Sequence, residues 1–405
     1  MIKKIGLVLL FLAAAVGLGF LLWRIIFGPP PSEVAPPTNG PAVNAPVGGG
    51  LPSAQPGMPV TPPTGGETGL PPSTVSPVAT GRLTQVRALA PASTSGAMLT
   101  SSGSLNYYNR NDGKFYRVGP DGTIQQLSGK TFFNVDQATF SPQGSTAIIE
   151  YPDGSNIFYD FNADRQVTLP KHWEDFDFNP QGNSIVSKSI GLDPANRFLV
   201  VSNPDGSGAV PIQELGENAD KVQVAWSPNN QIVATATTGD AYGVDRREVF
   251  FIGQNHENFR SIVVDGLDFR PSWSPNGEQL LYSVAGSLSD YKPRLWIVDA
   301  AGDDIGLNRR MLNVDTWADK CAFSGPDRLY CAVPRELPRG AGLQPRIADS
   351  TPDDIISIDL TTGLQTQVAV PEGQHTIDSL MVSADGGRLV FTDKGTGLLN
   401  ELRLR

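Results

Sequence analysis

Residues 270–283, RPSWSPNGEQLLYS, contain the pattern that decides the fold of this chain. One short strand ends at Trp273, a Ser-Pro-Asn-Gly turn follows, and a second strand begins at Gln279. Pro275 fixes φ at the first turn position, and Gly277 accepts a positive φ at the end of the turn. The alternating apolar residues on both sides of the turn predict a β-hairpin.

The same pattern recurs along nearly the whole chain after residue 80. In each copy an anchor residue, aromatic or apolar, precedes a polar turn, and a β-rich run follows. The seven anchors are Leu99, Phe140, Phe178, Trp226, Trp273, Phe323 and Val382. They are separated by 41, 38, 48, 47, 50 and 59 residues. Since propeller blades repeat at about 40–45 residues, we predict an all-β fold, a seven-bladed β-propeller of four-stranded antiparallel blades over residues 81–405.

The seventh unit has only three strands before the chain ends at Arg405. An unmatched strand, GRLTQVRAL at residues 81–89, precedes the first unit. We expect this strand to pair with the C-terminal blade and close the ring, because closure removes the open sheet edges of a radial array.

The W/F-S-P-x-G pattern followed by an apolar strand resembles the WD40-like (PD40-type) repeats of the TolB-like propellers. Similar repeats occur in the propellers of dipeptidyl and prolyl peptidases. The pattern is clear at Phe140, Phe178 and Trp273, whereas Asn230 replaces glycine in the Trp226 unit. The resemblance implies a propeller with peptide or protein partners, although propellers carry many unrelated activities. No α/β domain of the TolB type and no G-x-S-x-G nucleophile elbow is recognisable in the chain.

An apolar run at residues 5–27 is long enough to cross a bilayer as a helix. Lys3 and Lys4 precede the run, and Arg24 lies near its end. We predict an uncleaved signal anchor over residues 1–27. Because lysine and arginine favour the cytoplasmic side, its short N-terminal end is placed in the cytoplasm. The protein would be a single-pass membrane protein with its N-terminus in the cytoplasm and its propeller in the periplasm or on the cell surface. The alternative is a cleaved signal peptide.

Residues 28–80 are rich in Pro, Gly, Ser, Thr and Val and contain no aromatic residue. Such a composition cannot bury enough apolar surface to offset its ordering entropy. We predict a disordered linker, which acts either as a spacer across the cell wall or as a simple separation of the propeller from the membrane.

Charge and composition restrict the function. The net charge is −10 at pH 7, from 31 Lys and Arg against 41 Asp and Glu. A nucleic-acid partner is therefore not expected, because phosphate binding needs a basic surface. With three His and two Cys, we predict no metal and no cofactor.

Blade topology divides the connections between two faces of a propeller. The Ser-Pro-x-Gly turns lie on one face, whereas the longer loops within blades and the connections between blades lie on the other. We take this long-loop face as the binding face, and the alternative is length drift in unconstrained loops. The side chains proposed to contact a partner there are Arg335, Arg339, Arg346, Tyr242, Arg246 and Tyr291.

A carboxylate stands four to six residues before most anchors, where the inner strand begins at the mouth of the central channel. The six are Asp136, Glu174, Asp220, Asp268, Asp319 and Asp378. They would hold a cation or a basic segment, or each would cap its own turn. The same connections contain His172, Trp173, Trp317 and His375, which we also assign to the binding face. A metal on two of these histidines is the alternative to packing or surface roles.

Cys321 and Cys331 lie on the two inner strands of the sixth unit, and centring the hairpin on Pro326 places them opposite each other. A cross-strand disulfide is geometrically possible there, and two small buried thiols are the alternative.

These observations favour a membrane-tethered, extracytoplasmic propeller that acts as a protein- or peptide-binding or scaffolding module of the cell envelope. The alternative is an envelope carbohydrate-active enzyme, a lyase or hydrolase with its site on the long-loop face. Neither the partner nor the oligomeric state follows from the sequence.

Overall fold

The computed structural model describes residues 74–257 and 259–405. The predicted membrane anchor at 1–27 lies outside the described residues, as does the predicted linker up to residue 73. In the described part of the chain, no helix has the length and apolar character needed to cross a membrane.

The described residues form seven β-sheets, the blades of a propeller, which confirms the predicted all-β fold and the blade count. Two short strands come first, β1 (Leu83–Thr84) and β2 (Arg87–Ala88). Blade one consists of β3 (Thr94–Leu99), β4 (Leu105–Asn109), β5 (Lys114–Val118) and β6 (Ile124–Gln126). Blade two consists of β7 (Gln137–Phe140), β8 (Thr146–Glu150), β9 (Asn156–Asp160) and β10 (Arg165–Leu169). Blade three consists of β11 (Trp173–Phe178), β12 (Ile185–Ile190), β13 (Arg197–Ser202) and β14 (Val210–Glu214).

The other four blades follow the same order from the inner to the outer strand. Blade four consists of β15 (Val222–Val224), β16 (Ile232–Ala236), β17 (Arg246–Gly253) and β18 (Ile262–Asp265). Blade five consists of β19 (Leu267–Trp273), β20 (Gln279–Ala285), β21 (Pro293–Asp299) and β22 (Arg310–Asp315). Blade six consists of β23 (Cys321–Phe323), β24 (Arg328–Pro334), β25 (Asp353–Asp359) and β26 (Gln365–Pro371). Blade seven contains β27 (Ile377–Val382), β28 (Arg388–Asp393) and β29 (Leu399–Arg403). Short 3₁₀ helices span Pro194–Asn196, Gly216–Lys221, Ser287–Ser289, Gly302–Asp304, Ala318–Lys320 and Pro345–Ala348.

Apolar side chains fill the spaces between neighbouring blades. Each of seven buried clusters joins residues of two adjacent blades, including one cluster between blades seven and one. For example, Phe115 of blade one and Phe140 of blade two meet edge to face, with ring centroids 5.8 Å apart. A middle strand such as β20 is buried along nearly its whole length because both of its faces contact other blades.

The repeated turn is stabilised by its serine. The Ser274 hydroxyl accepts the N–H of Gln279 at 2.9 Å and donates to Asn276 Oδ1 at 2.7 Å. Ser227 forms the same pair of bonds in blade four, to Ile232 N–H at 2.9 Å and Asn229 Oδ1 at 2.7 Å. A buried hydroxyl thus satisfies the backbone at the start of the second strand, which explains why the pattern recurs.

Gly277 is needed both for its backbone conformation and for its close neighbour. Its φ is +70°, and a Cβ at this position would lie 2.5 Å from the backbone nitrogen of Asn229 in the turn of blade four. Gly103 has a similar φ of +77° but open space around it. We expect Gly277→Ala to destabilise the protein by about 2–3 kcal/mol and Gly103→Ala by about 1 kcal/mol, measured by chemical denaturation. Equal losses in the two variants would show that the approach of the neighbouring turn is unimportant.

The N-terminal segment differs in detail from the single outer strand predicted over residues 81–89. β1 pairs in parallel with β26 of blade six, through Leu83 opposite Val370. β2 pairs antiparallel with β29 of blade seven, through Arg87 opposite Glu401. Upstream, the Ala79 N–H donates to the Arg403 carbonyl at 2.8 Å. The segment therefore pairs first with β26 of blade six through β1 and then with β29 of blade seven through β2.

Candidate functional site

The long loops of blades four, five and six form one connected surface, which we call the loop ridge (residues 237–245, 286–292 and 335–352). The Asp245 carboxylate joins the first two loops by accepting the Ser287 N–H at 2.7 Å and the Tyr291 hydroxyl at 3.2 Å. The last two loops are joined by N–H groups of Gly340 and Gly342, which donate to the carbonyls of Asp290 and Tyr291 at 2.9 Å each. These bonds hold the three loops in fixed positions relative to one another.

Large apolar side chains are exposed on this ridge. They are Tyr242 (49 % exposed), Val244 (87 %), Leu288 (76 %), Leu343 (44 %) and Ile347 (45 %). Phe133 and Leu192 are also exposed on the long-loop face, in the connection after blade one and in the loop of blade three. Several exposed apolar side chains on loops that are bonded to one another make this ridge a candidate interaction surface.

The six partner-contacting residues predicted from sequence lie on or beside the loop ridge, and four of them lie beside a carboxylate. Arg246 pairs with Asp265 at 2.7 Å and Arg335 with Asp354 at 2.9 Å, while Arg339 lies 4.0 Å from Asp290. Tyr291 bonds to Asp245, as described above. Arg346 and Tyr242 are exposed. Val244, Leu288, Leu343 and Ile347 were not singled out from the sequence, where they show no strand or helix period.

The six predicted carboxylates differ in their surroundings from one side of the channel mouth to the other. On the side of blades five to seven, Arg270 contacts Asp268 at 2.9 Å and Asp319 at 3.0 Å, and Lys394 lies 3.8 Å from Asp378. None of the six side chains accepts a hydrogen bond from a described backbone N–H, so capping of their own turns is not observed. Asp220 is exposed in the connection before blade four.

On the side of blades two and three, negative charge accumulates around Glu150 at the end of β8. Burial, and after it the nearby carboxylates of Asp175, Asp136 and Glu174, raise the pKa of Glu150 to about 7. Lys188 compensates one of them, pairing with Asp175 at 2.6 Å. The channel mouth is therefore more electronegative beside blades two and three.

The raised pKa of Glu150 predicts a pH dependence of stability. A carboxyl whose folded pKa lies above its unfolded value stabilises the fold at low pH and loses this contribution as the pH rises through about 7. We expect Glu150→Gln to increase the free energy of unfolding at pH 8 by roughly 1–3 kcal/mol, which raises the melting temperature. At pH 5 we expect little change in either quantity. Glu372→Gln, an exposed control, is expected to change neither. A gain in the Glu150 variant that is the same at both pH values would contradict this assignment.

The four predicted aromatic and histidine residues do not converge on one site. Trp173 and Trp317 are buried, and Arg270 lies over the Trp317 ring at 5.9 Å. His375 Nδ1 contacts Asp393 Oδ2 at 3.0 Å, whereas His172 is exposed. Among residues 74–257 and 259–405, no group of three or more His, Cys, Asp or Glu side chains is placed to hold a metal ion.

A disulfide and a buried ion pair lie beneath the ridge in blade six. Cys321 and Cys331 are directly opposed in β23 and β24, with Cα atoms 4.1 Å apart, and their Sγ atoms are joined as a disulfide. Lys320 Nζ lies 2.8 Å from both oxygens of Asp353. Asp353 also accepts the Ile377 N–H at 2.6 Å, so this pair connects blades six and seven. The Lys320–Asp353 ion pair was not predicted from the sequence, because no local pattern indicates a buried ion pair between residues far apart in the chain.

Comparison with known proteins supports the propeller fold. No protein-family model and no curated protein sequence matches the chain. Among solved structures, it is similar to an oligogalacturonate lyase in complex with manganese (14 % identity, 79 % of this chain and 93 % of that chain, TM-score 0.54). It is also similar to the Cps50 (Swd1) β-propeller domain of Myceliophteria thermophila (12 % identity, 79 % and 100 %, TM-score 0.54). A chain of the mitotic checkpoint complex matches with 12 % identity over 85 % and 98 % (TM-score 0.52).

These identities are low enough that the similarities describe the fold alone. They include a lyase and a component of a multiprotein complex, so they favour neither an enzymatic nor a binding function.

Proposed function

We propose that this protein is a protein- or peptide-binding module whose partner docks on the loop ridge of blades four to six. The observation that carries the proposal is the group of exposed apolar side chains on loops that hydrogen bonds hold in place. Loops that are already ordered lose little conformational entropy on binding, so more of the contact energy contributes to affinity. An aromatic anchor such as Tyr242 is typical of the centre of an interface.

The charges of the long-loop face support a partner with a basic portion. The ridge itself has Arg335, Arg339 and Arg346 beside acidic residues, whereas the mouth near Glu150 carries several carboxylates and one lysine. A basic segment of the partner would therefore approach the side of blades two and three, and its apolar portion would cover the ridge.

A double substitution on the ridge tests the proposal. Full-length protein carrying Leu288→Asp and Ile347→Asp is purified in detergent from its source cells, beside wild type and a Leu307→Asp, Leu364→Asp control. Both control positions are exposed and lie on turns of the opposite face. We expect wild type and control to retain the same specific partner, identified by mass spectrometry, and the ridge variant to lose it. Equal recovery by all three proteins would contradict docking at the ridge.

We also propose that residues 1–27 anchor the chain in a membrane and that residues 28–73 tether the propeller outside the cytoplasm. The support is the apolar run of residues 5–27, with Lys3 and Lys4 before it and Arg24 near its end, followed by a segment rich in proline and glycine. The protein is then expected to stay with membranes during carbonate extraction. Its release into the soluble fraction would contradict an uncleaved anchor.

Finally, we propose that the segment containing β1 and β2 closes the propeller ring. The pairing of β2 with β29 supports this proposal, as does the contact of Leu89 and Ala90 with side chains of blades seven and one. A deletion that tests it is described in the Discussion.

A further inference from the structure

A groove with a volume of about 400 Å³ lies on the side of the propeller between blades seven and one. One wall comes from β2, β28 and β29 of blade seven, and the other comes from β6 and the turn before it in blade one. A second cavity of about 480 Å³ adjoins the groove and shares four of its lining residues, Arg87, Ala88, Glu401 and Arg403. Both volumes lie in the range of ligand-binding cavities.

Three arginines share the wall that blade seven contributes. Arg388 of β28 lies directly opposite Arg403 of β29, and Arg87 of β2 lies directly opposite Glu401 of β29. Opposed residues, and residues two apart in one strand, point to the same face of a sheet. All four side chains therefore lie on the face of Leu399, which packs against blade one. Like charges directly opposite each other destabilise a sheet, so a single carboxylate among three guanidinium groups leaves a surplus of positive charge on this wall.

The N–H groups of these arginines are not used within the described part of the chain. Arg87 Nη1 lies 3.7 Å from Glu401 Oε1 and Arg388 Nη1 lies 3.5 Å from Glu401 Oε2, and neither contact is a hydrogen bond. Arg403 is exposed and forms no ion pair with a described residue. Glu401 itself is 3 % exposed. The buried carboxylate thus attracts two guanidinium groups by its charge and leaves their donors available to a ligand.

The groove combines these donors with apolar side chains. Leu89 lines it from the side of blade seven, and Pro120 and Ile124 line it from blade one, where Ile124 is 50 % exposed. Asp121 also lines the groove, but its carboxylate accepts the N–H and the hydroxyl of Thr123 at 3.0 and 2.7 Å within its own turn. A guanidinium group matches the two oxygens of a carboxylate or phosphate. An occupant that carries both carboxylates and apolar side chains matches the whole groove, whereas a phosphate group matches the arginines alone.

We propose that this groove binds an acidic segment of a partner protein. Arg87, Arg388 and Arg403 bind carboxylates of the segment, and one of its apolar side chains packs on Ile124. Residues 28–73 of this chain are a poorer match, because their two charged residues, Glu33 and Glu67, are far apart in the sequence. The inference does not depend on the loop ridge, since none of the five exposed apolar residues of the ridge lines either cavity.

Synthetic peptides test the proposal on the full-length protein in detergent. The probes are short fluorescent peptides in which Glu alternates with Leu or Val, and binding is measured by anisotropy. They are compared with peptides in which Gln replaces every Glu, and inorganic phosphate is added as a competitor. The Glu peptides are expected to bind, and the Gln peptides are expected to bind at least about tenfold more weakly because they cannot form charge-assisted hydrogen bonds of the same strength. Phosphate is expected to displace the probe only at concentrations far above those of unlabelled Glu peptide.

Matched variants locate the site. Arg403→Gln is expected to weaken Glu-peptide binding at least about tenfold. Arg165→Gln, the same change at an exposed arginine on outer strand β10 of blade two, is expected to leave binding unchanged. Ile124→Asp is compared in the same way with Leu364→Asp, since the two side chains are 50 % and 65 % exposed. Because Arg403 is exposed and has no ion-pair partner among the described residues, its variant keeps the test valid if Ile124→Asp impairs folding.

Several results would overturn the proposal. They are peptide binding that is absent, that is equally strong for the Gln peptides, or that falls equally in variant and control. Displacement by phosphate as efficient as that by Glu peptide would show a site for phosphate groups instead. Tighter peptide binding by a Glu33→Gln, Glu67→Gln protein would show that the chain's own segment occupies the groove. Loss of a dimer in sedimentation of Arg403→Gln would show a contact between copies of this chain.

Discussion

Replacing Asp353 by alanine is expected to destabilise the propeller by about 3–5 kcal/mol. The Asp353 side chain is fully buried, and the side chain of its partner Lys320 is 8 % exposed. Removing the carboxylate leaves an ammonium group without a counter-charge in an environment that solvates it poorly. It also removes the acceptor of the Ile377 N–H, which joins blade seven to blade six. The loss is measured as the free energy of unfolding in a denaturant titration.

Two controls separate the ion pair from a general effect of substitution. Asp354→Ala removes the neighbouring carboxylate, whose partner Arg335 is 36 % exposed, and is expected to cost less than about 1 kcal/mol. Lys320→Met combined with Asp353→Leu removes both charges together and is expected to recover the part of the loss that the unpaired ammonium causes, while the Ile377 N–H stays without its acceptor. A single Asp353→Ala variant as stable as wild type would contradict the structural role of this pair.

Deleting residues 81–89 is expected to lower the stability of the whole propeller by at least about 3 kcal/mol. The deletion removes both β1 and β2, and with them the pairing to β26 and β29. It also removes Val86, which packs against the buried cluster between blades six and seven, and Leu89, which packs against the cluster between blades seven and one. Because every blade contacts two neighbours, exposing the outer strands of blades six and seven is expected to affect one cooperative unfolding transition rather than a local one.

A deletion of equal length provides the control. Removing residues 41–49 shortens the chain by the same number of residues and leaves every described contact unchanged. This variant is expected to melt at the temperature of wild type, followed by circular dichroism. If the 81–89 deletion also melts at that temperature, closure of the ring by the N-terminal segment is wrong.

The blade count could be predicted from the sequence because the turn repeats a local physical requirement. A polar side chain after the anchor accepts the N–H at the start of the second strand, as Ser274 does in blade five and Asn179 in blade three, so a recognisable turn pattern recurs from copy to copy. The opposition of Cys321 and Cys331 followed from the same hairpin register. By contrast, the path of the N-terminal segment could not be predicted in detail, since the crossing from β26 to β29 depends on where two sheet edges lie in space.

The candidate site was predictable only in outline. Loop length identified the face, but the exposure of Val244 or Leu288 depends on how three loops bond to one another. The mouth carboxylates were recognised as a group, whereas the pairing of those beside blades five to seven depends on Arg270 reaching Asp319 of the next blade and on Lys394, just after β28, lying near Asp378.

Site-specific photo-crosslinking tests the central claim most directly. A photoreactive amino acid is placed at Leu288 on the loop ridge in one full-length protein and at Leu364 on the opposite face in another, and both proteins are irradiated in their source cells. These leucines have comparable exposure, 76 % and 65 %, so non-specific collisions are expected to label them alike. Docking at the ridge predicts a discrete crosslinked partner for the Leu288 probe and none for the Leu364 probe. A partner captured equally by both, or only by the Leu364 probe, would contradict it.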